Sequence, residues 1–148
     1  MEYKKVKRCF RVVGIKGYGA YVNFDVEVPK LARQVMKRMD EIEHCSGTEI
    51  AFFEPKQNGN HLEGNYYVGF IVNESLSKVP SGMEYIESNQ VYFKTRGNIN
   101  EIANLHNDLL QWIEDQGYIR NQNAYIIETY HPMENGLEEV EIFLPILT

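Results

Sequence analysis

The residue with the clearest chemical potential is Glu128. It stands in the middle of Ala124-Tyr125-Ile126-Ile127-Glu128-Thr129-Tyr130, a run with β-strand character. Strand alternation puts Ile126, Glu128 and Tyr130 on one face and Tyr125, Ile127 and Thr129 on the other. Such a carboxylate has two readings. It is a solvated Glu on an exposed sheet face, or it is a part-buried anion flanked by aromatic and aliphatic groups. Burying an unpaired carboxylate costs several kcal/mol or forces protonation, so a buried one awaits a cation or a hydrogen-bond donor. Each well-placed aromatic ring adds ~0.5–2 kcal/mol of attraction for a cation. A Glu-plus-Tyr cleft is therefore suited to a lipophilic cation. Glu141 is the second candidate and shares a strand face with Phe143. Its simpler reading is an exposed Glu paired with a cross-strand Lys or Arg. Glu138 and Glu139 read as solvated.

Other chemistries find little support. His44, His61, His106 and His131 are far apart, and none stands at metal-ligand spacing from a Cys or a carboxylate. There is no GxSxG elbow and no family arrangement of Ser, His and Asp. The stretch GIKGYGAY lacks both GxGxxG and GK[ST], so it reads as a flexible glycine-rich connection carrying Tyr18 and Tyr21. Cys9 and Cys45 belong to no CxxC pair and read as reduced thiols. No metal, cofactor or catalytic residue is expected. The 10 tyrosines outnumber the 7 phenylalanines, so many aromatic positions keep a polar tip, as a half-wet sheet face or a ligand cleft requires.

These residues need a scaffold, and the hydrophobic pattern outlines one. Lys5 to Gly14 reads as a first strand. Pro29 to about Cys45 reads as a helix, with Pro29 at its first position, the stripe Leu31, Val35, Met39 and Ile42, and Gly47 as its stop. Glu49 to Phe53 and Asn65 to Val72 read as a hairpin around a Pro-, Asn- and Gly-bearing loop. Asn73 to Asn89 is an irregular connection, with a short edge strand at Met83 to Ile86. Gln90 to Thr95 is the next strand. Asn98 and Glu101 form a capping box for a helix to about Gln116, striped by Ile102, Leu105, Leu109 and Ile113 and joined by Trp112. Gly117 closes that helix. Ala124 to Tyr130 and Glu138 to Ile146 are the last strands, with Pro145 implying an edge or terminal position. The order strand–helix–strand–strand occurs twice, over about 1–73 and 90–148. The expectation is one α+β domain over 1–148, in which duplicated βαββ units form a pseudo-twofold antiparallel sheet with two long helices and a central cleft.

Composition bounds the partners. A chain of 148 residues with 43% hydrophobic content buries a real core, which excludes disorder as its dominant state. Against 15 Lys and Arg stand 21 Asp and Glu, a net charge of −6 that argues against direct nucleic-acid binding. No segment approaches the ~20 apolar residues of a membrane span, so no membrane partner is expected. Met1-Glu2-Tyr3-Lys4-Lys5 lacks the apolar region of a signal peptide, and the expected location is cytoplasmic. The first strand begins within the opening ten residues, which leaves no room for a helix-turn-helix ahead of it.

The tail Tyr125-Ile-Ile-Glu-Thr-Tyr130, a turn, and Val140-Glu-Ile-Phe-Leu-Pro-Ile146 resemble the C-terminal signature of the gyrase-inhibitor-like (GyrI-like) effector-binding domains. Glu128, Tyr130, Glu141 and Pro145 match that pattern. Phe10-Arg-Val-Val-Gly-Ile15 and Gln90-Val-Tyr-Phe-Lys-Thr-Arg-Gly97 are similar to the family's first and mid-chain strands. The family includes ligand domains of AraC- and MerR-type regulators, and this chain resembles the stand-alone, integron-cassette or YdeE-like members. The resemblance implies a duplicated βαββ fold whose cleft holds an acidic residue against cationic, aromatic ligands, a role that falls to Glu128. Phe53, Tyr67, Trp112 and Tyr18 join Ile126, Tyr130 and Glu141 as candidate ligand contacts from their aromatic or strand position. The leading expectation is a binding protein for a small cationic, aromatic molecule. The alternatives are a hydrolase acting on a reactive small molecule through a cleft Glu, or a gyrase-inhibitor-like interaction module with a protein partner or a second copy.

Overall fold

The computed structural model describes residues 2–148. Its strands are β1 (Lys4–Ala20), β2 (Cys45–Phe53), β3 (Glu63–Val72), β4 (Glu84–Asn98), β5 (Ile126–Pro132) and β6 (Glu138–Pro145). Helix α1 (Phe24–Met36) follows β1, and helix α2 (Ile102–Asp115) follows β4, so strand–helix–strand–strand runs twice along the chain. The strands close into an antiparallel barrel in the order β1-β3-β2-β5-β6-β4. The two halves meet at two seams, β1 on β4 and β2 on β5. Among the described residues no helix is long and apolar enough to cross a membrane.

Alternation along the strands divides the core into three layers. Phe10, Val12, Ile50, Phe52, Tyr67, Tyr92, Ile127 and Phe143 form one buried cluster. It draws on all six strands and fills the barrel. The opposite face of β1, β2 and β3 packs Val13, Ala51, Val68 and Phe70 against Val28 and Val35 of α1. The opposite face of β4 and β6 packs Phe93, Val140, Ile142 and Leu144 against Leu105, Leu109 and Ile113 of α2. The helices thus lie on the outside of the barrel, one over each half.

Several expected boundaries shift, each for a physical reason. The segment from Gly14 to Gly19 is not a flexible connection; it is the second half of β1, paired residue by residue with β3. Gly14 sits opposite Gly69, and a Cβ on Gly69 would lie 2.1 Å from the Val13 carbonyl oxygen. The two backbones approach so closely that both positions must lack a side chain. Helix α1 starts five residues before Pro29 and ends at Met36, so Pro29 lies inside it. Asp25 and Glu27 in the first turn favour that earlier start by opposing the helix dipole. Gly47 therefore does not stop the helix; it sits at φ +85° where the β2–β3 register shifts. The strand expected at Met83 to Ile86 is not an edge. It is continuous with Gln90 to Thr95 as β4, which lies between β1 and β6. Asn98 does accept a capping bond from the Asn100 amide, at the head of a short 3-10 turn that leads into α2. Gly117 takes φ +80° just beyond that helix.

Candidate functional site

The β2–β5 seam carries the site on its outer face. Glu49, Ala51 and Phe53 of β2 stand opposite Tyr130, Glu128 and Ile126 of β5. Alternation sends Ile50, Phe52 and Ile127 into the barrel, so these six point outward into the space between the helices. Asp25, Pro29 and Ala32 line that space from α1, and Ile102 and His106, one turn apart, line it from α2. Tyr21, Phe24 and Lys56 complete one end. The result is a cavity of about 650 Å³, walled mostly by apolar groups. Ala51, directly opposite Glu128, leaves the room above the carboxylate that a larger side chain would fill.

Glu128 lies in the wall of this cavity and is only 7% exposed. Both its oxygens are occupied. The Tyr130 hydroxyl donates to Oε1 at 2.5 Å, and His106 Nε2 lies 2.6 Å from Oε2. An ionised carboxylate only accepts, so Nε2 is the nitrogen that carries the hydrogen. Among the described residues no Lys or Arg is ion-paired with Glu128. Burial pushes the Tyr130 phenol well above the usual tyrosine range, and the neighbouring Glu128 adds to that, so Tyr130 stays a donor. Burial, and then repulsion from Glu138, raises the Glu49 carboxyl as well. The walls carry an excess of carboxylates, with Asp25, Glu49, Glu54, Glu128 and Glu138 against Lys56. Among the described residues no three His, Cys, Asp or Glu side chains converge as metal ligands. Cys9 and Cys45 are free thiols.

The expected site residues divide into two groups. Glu128, Tyr130, Ile126 and Phe53 come together on the cavity wall, with the Phe53 ring 6.1 Å from that of Phe24. Tyr67 does not reach it; it points into the barrel against Tyr125. Trp112 packs on the far flank of α2, stacked with Tyr3 at 5.1 Å and edge-on to Phe93 at 4.8 Å. Tyr18 is 61% exposed on β1 and lines no part of the cavity. Glu141 is ion-paired with Lys94 of the neighbouring strand at 3.1 Å, away from the cavity; the cross-strand partner matches its simpler reading, but the side chain is largely buried rather than exposed. The residue that sequence spacing missed is His106. It stands apart from every other His and Cys, but it lies one turn beyond Ile102, on the edge of the apolar stripe of α2. That position is the signal that places it at the margin of a buried face.

A six-stranded barrel with a helix over each half, and a ligand-sized cavity between the helices, defines the class of effector-binding domains. The family described as integron-associated effector binding protein (Cass2) matches residues 6–146, and the chain belongs to that family. No curated protein matches the sequence. The fold is similar to that of SAV2435 bound to tetraphenylphosphonium, with TM-score 0.71 and 14% identity over 99% of this chain and 94% of that one. It is also similar to the EcmrR C-terminal domain, with TM-score 0.66 and 13% identity over 100% and 99% of the two chains. A hydrolase from Listeria innocua shares it at TM-score 0.61 and 11% identity, over 99% and 92%. At these identities the likeness is one of fold.

Proposed function

We propose that this protein binds a lipophilic, aromatic cation in the cavity between α1 and α2, with Glu128 as the counter-charge. One observation carries the reading: a carboxylate that is 7% exposed, with no Lys or Arg among the described residues paired to it, in the wall of a largely apolar cavity of about 650 Å³. An anion held this way attracts a cation more strongly than an exposed one, because little water screens it. Phe53, Phe24 and Tyr21 supply ring surface nearby for stacking and cation–π attraction. Tetraphenylphosphonium, the molecule bound to SAV2435, has this chemistry and serves as the probe. Glu128→Gln keeps the shape and removes the charge. The substitution is expected to weaken tetraphenylphosphonium by roughly 1–3 kcal/mol, the range for losing a charged partner, and a neutral triaryl analogue much less. Calorimetric titration of both ligands against both proteins decides it, and equal affinity for the cation would refute the charge argument.

A second reading has its own support. Tyr130 and His106 are polar groups within hydrogen-bonding reach of Glu128, one on each oxygen, and they fix the orientation of a carboxylate that could do acid–base work on a reactive small molecule. If Glu128→Gln abolishes hydrolysis of such a substrate while binding is kept, that reading replaces the first.

A further inference from the structure

Resting on the cation-binding reading, we propose that His106 sets the charge selectivity of the cavity. Neutral, it leaves Glu128 as the counter-ion for a ligand cation; protonated, it takes the ligand's place as the cation paired with Glu128 and ligand binding weakens.

The geometry is direct. His106 Nε2 lies 2.6 Å from Glu128 Oε2, and Tyr130 holds the other oxygen. No oxygen of Glu128 is therefore free, and a ligand cation approaches a carboxylate that already has its donors. The neutral imidazole donates through Nε2–H and leaves the pair at charge −1. A second proton, taken up at Nδ1, brings the pair to zero. A cation in the cavity and a proton on His106 then compete for one negative charge, so each weakens the other by the same factor. Imidazole is the ordinary side chain whose charge changes within about pH 5–8, which sets the range over which wild type and variants are compared.

The other titratable groups around the cavity do not replace His106 in this role. From β5 come Glu128 and Tyr130, and from β2 and β6 come Glu49 and Glu138. Helix α1 adds Asp25, the turn before it Tyr21, and the segment after β2 adds Glu54 and Lys56. Tyr130 stays protonated throughout, since burial and Glu128 hold it above the usual range. Glu49, Glu54, Glu138 and Asp25 have no hydrogen bond to His106 and are present in every variant of it; Glu128 is bonded to His106, and the Gln variant is chosen to keep a donor on it.

The experiment is a titration with tetraphenylphosphonium from pH 5.5 to 8, using wild type, His106→Gln and His106→Asn. Gln keeps an N–H donor for Glu128 but has no proton to gain. For wild type, affinity is expected to fall about tenfold as pH drops across this range, the scale of a charge-assisted hydrogen bond to a carboxylate. In His106→Gln the fall shrinks to what the carboxylates alone produce. Wild-type calorimetry in buffers of different ionisation heat gives a reading without any variant: cation binding near pH 6 is expected to release a proton. Cation binding that depends on Glu128 but has the same pH profile in wild type and both variants, or no proton release, overturns this inference and leaves the proposed function standing. Absence of tetraphenylphosphonium binding to wild type at every pH overturns both.

Discussion

Glu128 and Glu49 lie on the same outer face of one seam, diagonal to each other across the β2–β5 register, yet they are in different electrostatic states. Glu128 has two donors. Glu49 has burial and the Glu138 carboxylate against it, and both raise its pKa. The sign of the consequence is fixed. A carboxyl raised in the folded state adds stability when protonated, and that stability is lost as pH rises through its folded value. At neutral pH an ionised Glu49 is therefore a cost to the fold. Glu49→Gln is expected to raise Tm near pH 7 and to leave it unchanged below about pH 4, where the carboxyl is protonated in the folded and unfolded chain alike. Thermal melts of both proteins across that range check it, and a lower Tm at pH 7 would contradict it.

At the level of elements, the closed barrel brings β1 and β3 closer together at Gly14 and Gly69 than side chains allow. A Cβ at Gly69 would meet the Val13 carbonyl oxygen at 2.1 Å and Gly14 Cα at 2.6 Å, both backbone atoms that cannot swing aside. Gly69→Ala must therefore pry the strands apart, although it adds a single methyl. We expect a loss of about 3 kcal/mol or more in urea unfolding, the upper end for overpacking. The same contact explains why a glycine-rich segment reads as a loop and folds as a strand. Glycine lowers strand propensity locally, and tertiary pairing overrides it. Pro29 shows the same hierarchy. Its first-position preference is real, but the acidic turn at Asp25 and Glu27 and the packing of Val28 draw the helix start upstream.

For the whole molecule, a ligand that binds only the folded state must stabilise it by mass action. At a hundredfold excess over Kd the gain is about 2.7 kcal/mol. For a chain of this size that corresponds to a Tm rise of roughly 5–10 °C. Tetraphenylphosphonium is expected to produce such a shift in wild type and a much smaller one in Glu128→Gln, measured by differential scanning fluorimetry. A matching shift in both proteins would refute Glu128 as the counter-charge.

Periodicity along the chain was enough to determine the element order, the α2 stripe of Leu105, Leu109 and Ile113, and the face on which Glu128 stands with Ile126 and Tyr130. These are short-range properties: a period of two or 3.6 is written in neighbouring residues. The C-terminal strand pair was legible for the same reason. Which aromatics would share the cavity was not, because that depends on which side of a closed barrel each strand face becomes. Tyr67 and Glu128 both sit on strands with apolar neighbours, but closure turns one inward and the other out toward the helices. The partner of Glu128 was equally out of reach. His106 is 22 positions away in sequence and comes to 2.6 Å only because α2 lies across the barrel beside the β2–β5 seam. Local pattern decides what each element is; the packing of the two helices over the closed sheet decides that one buried carboxylate, one phenol and one imidazole meet in the same cavity.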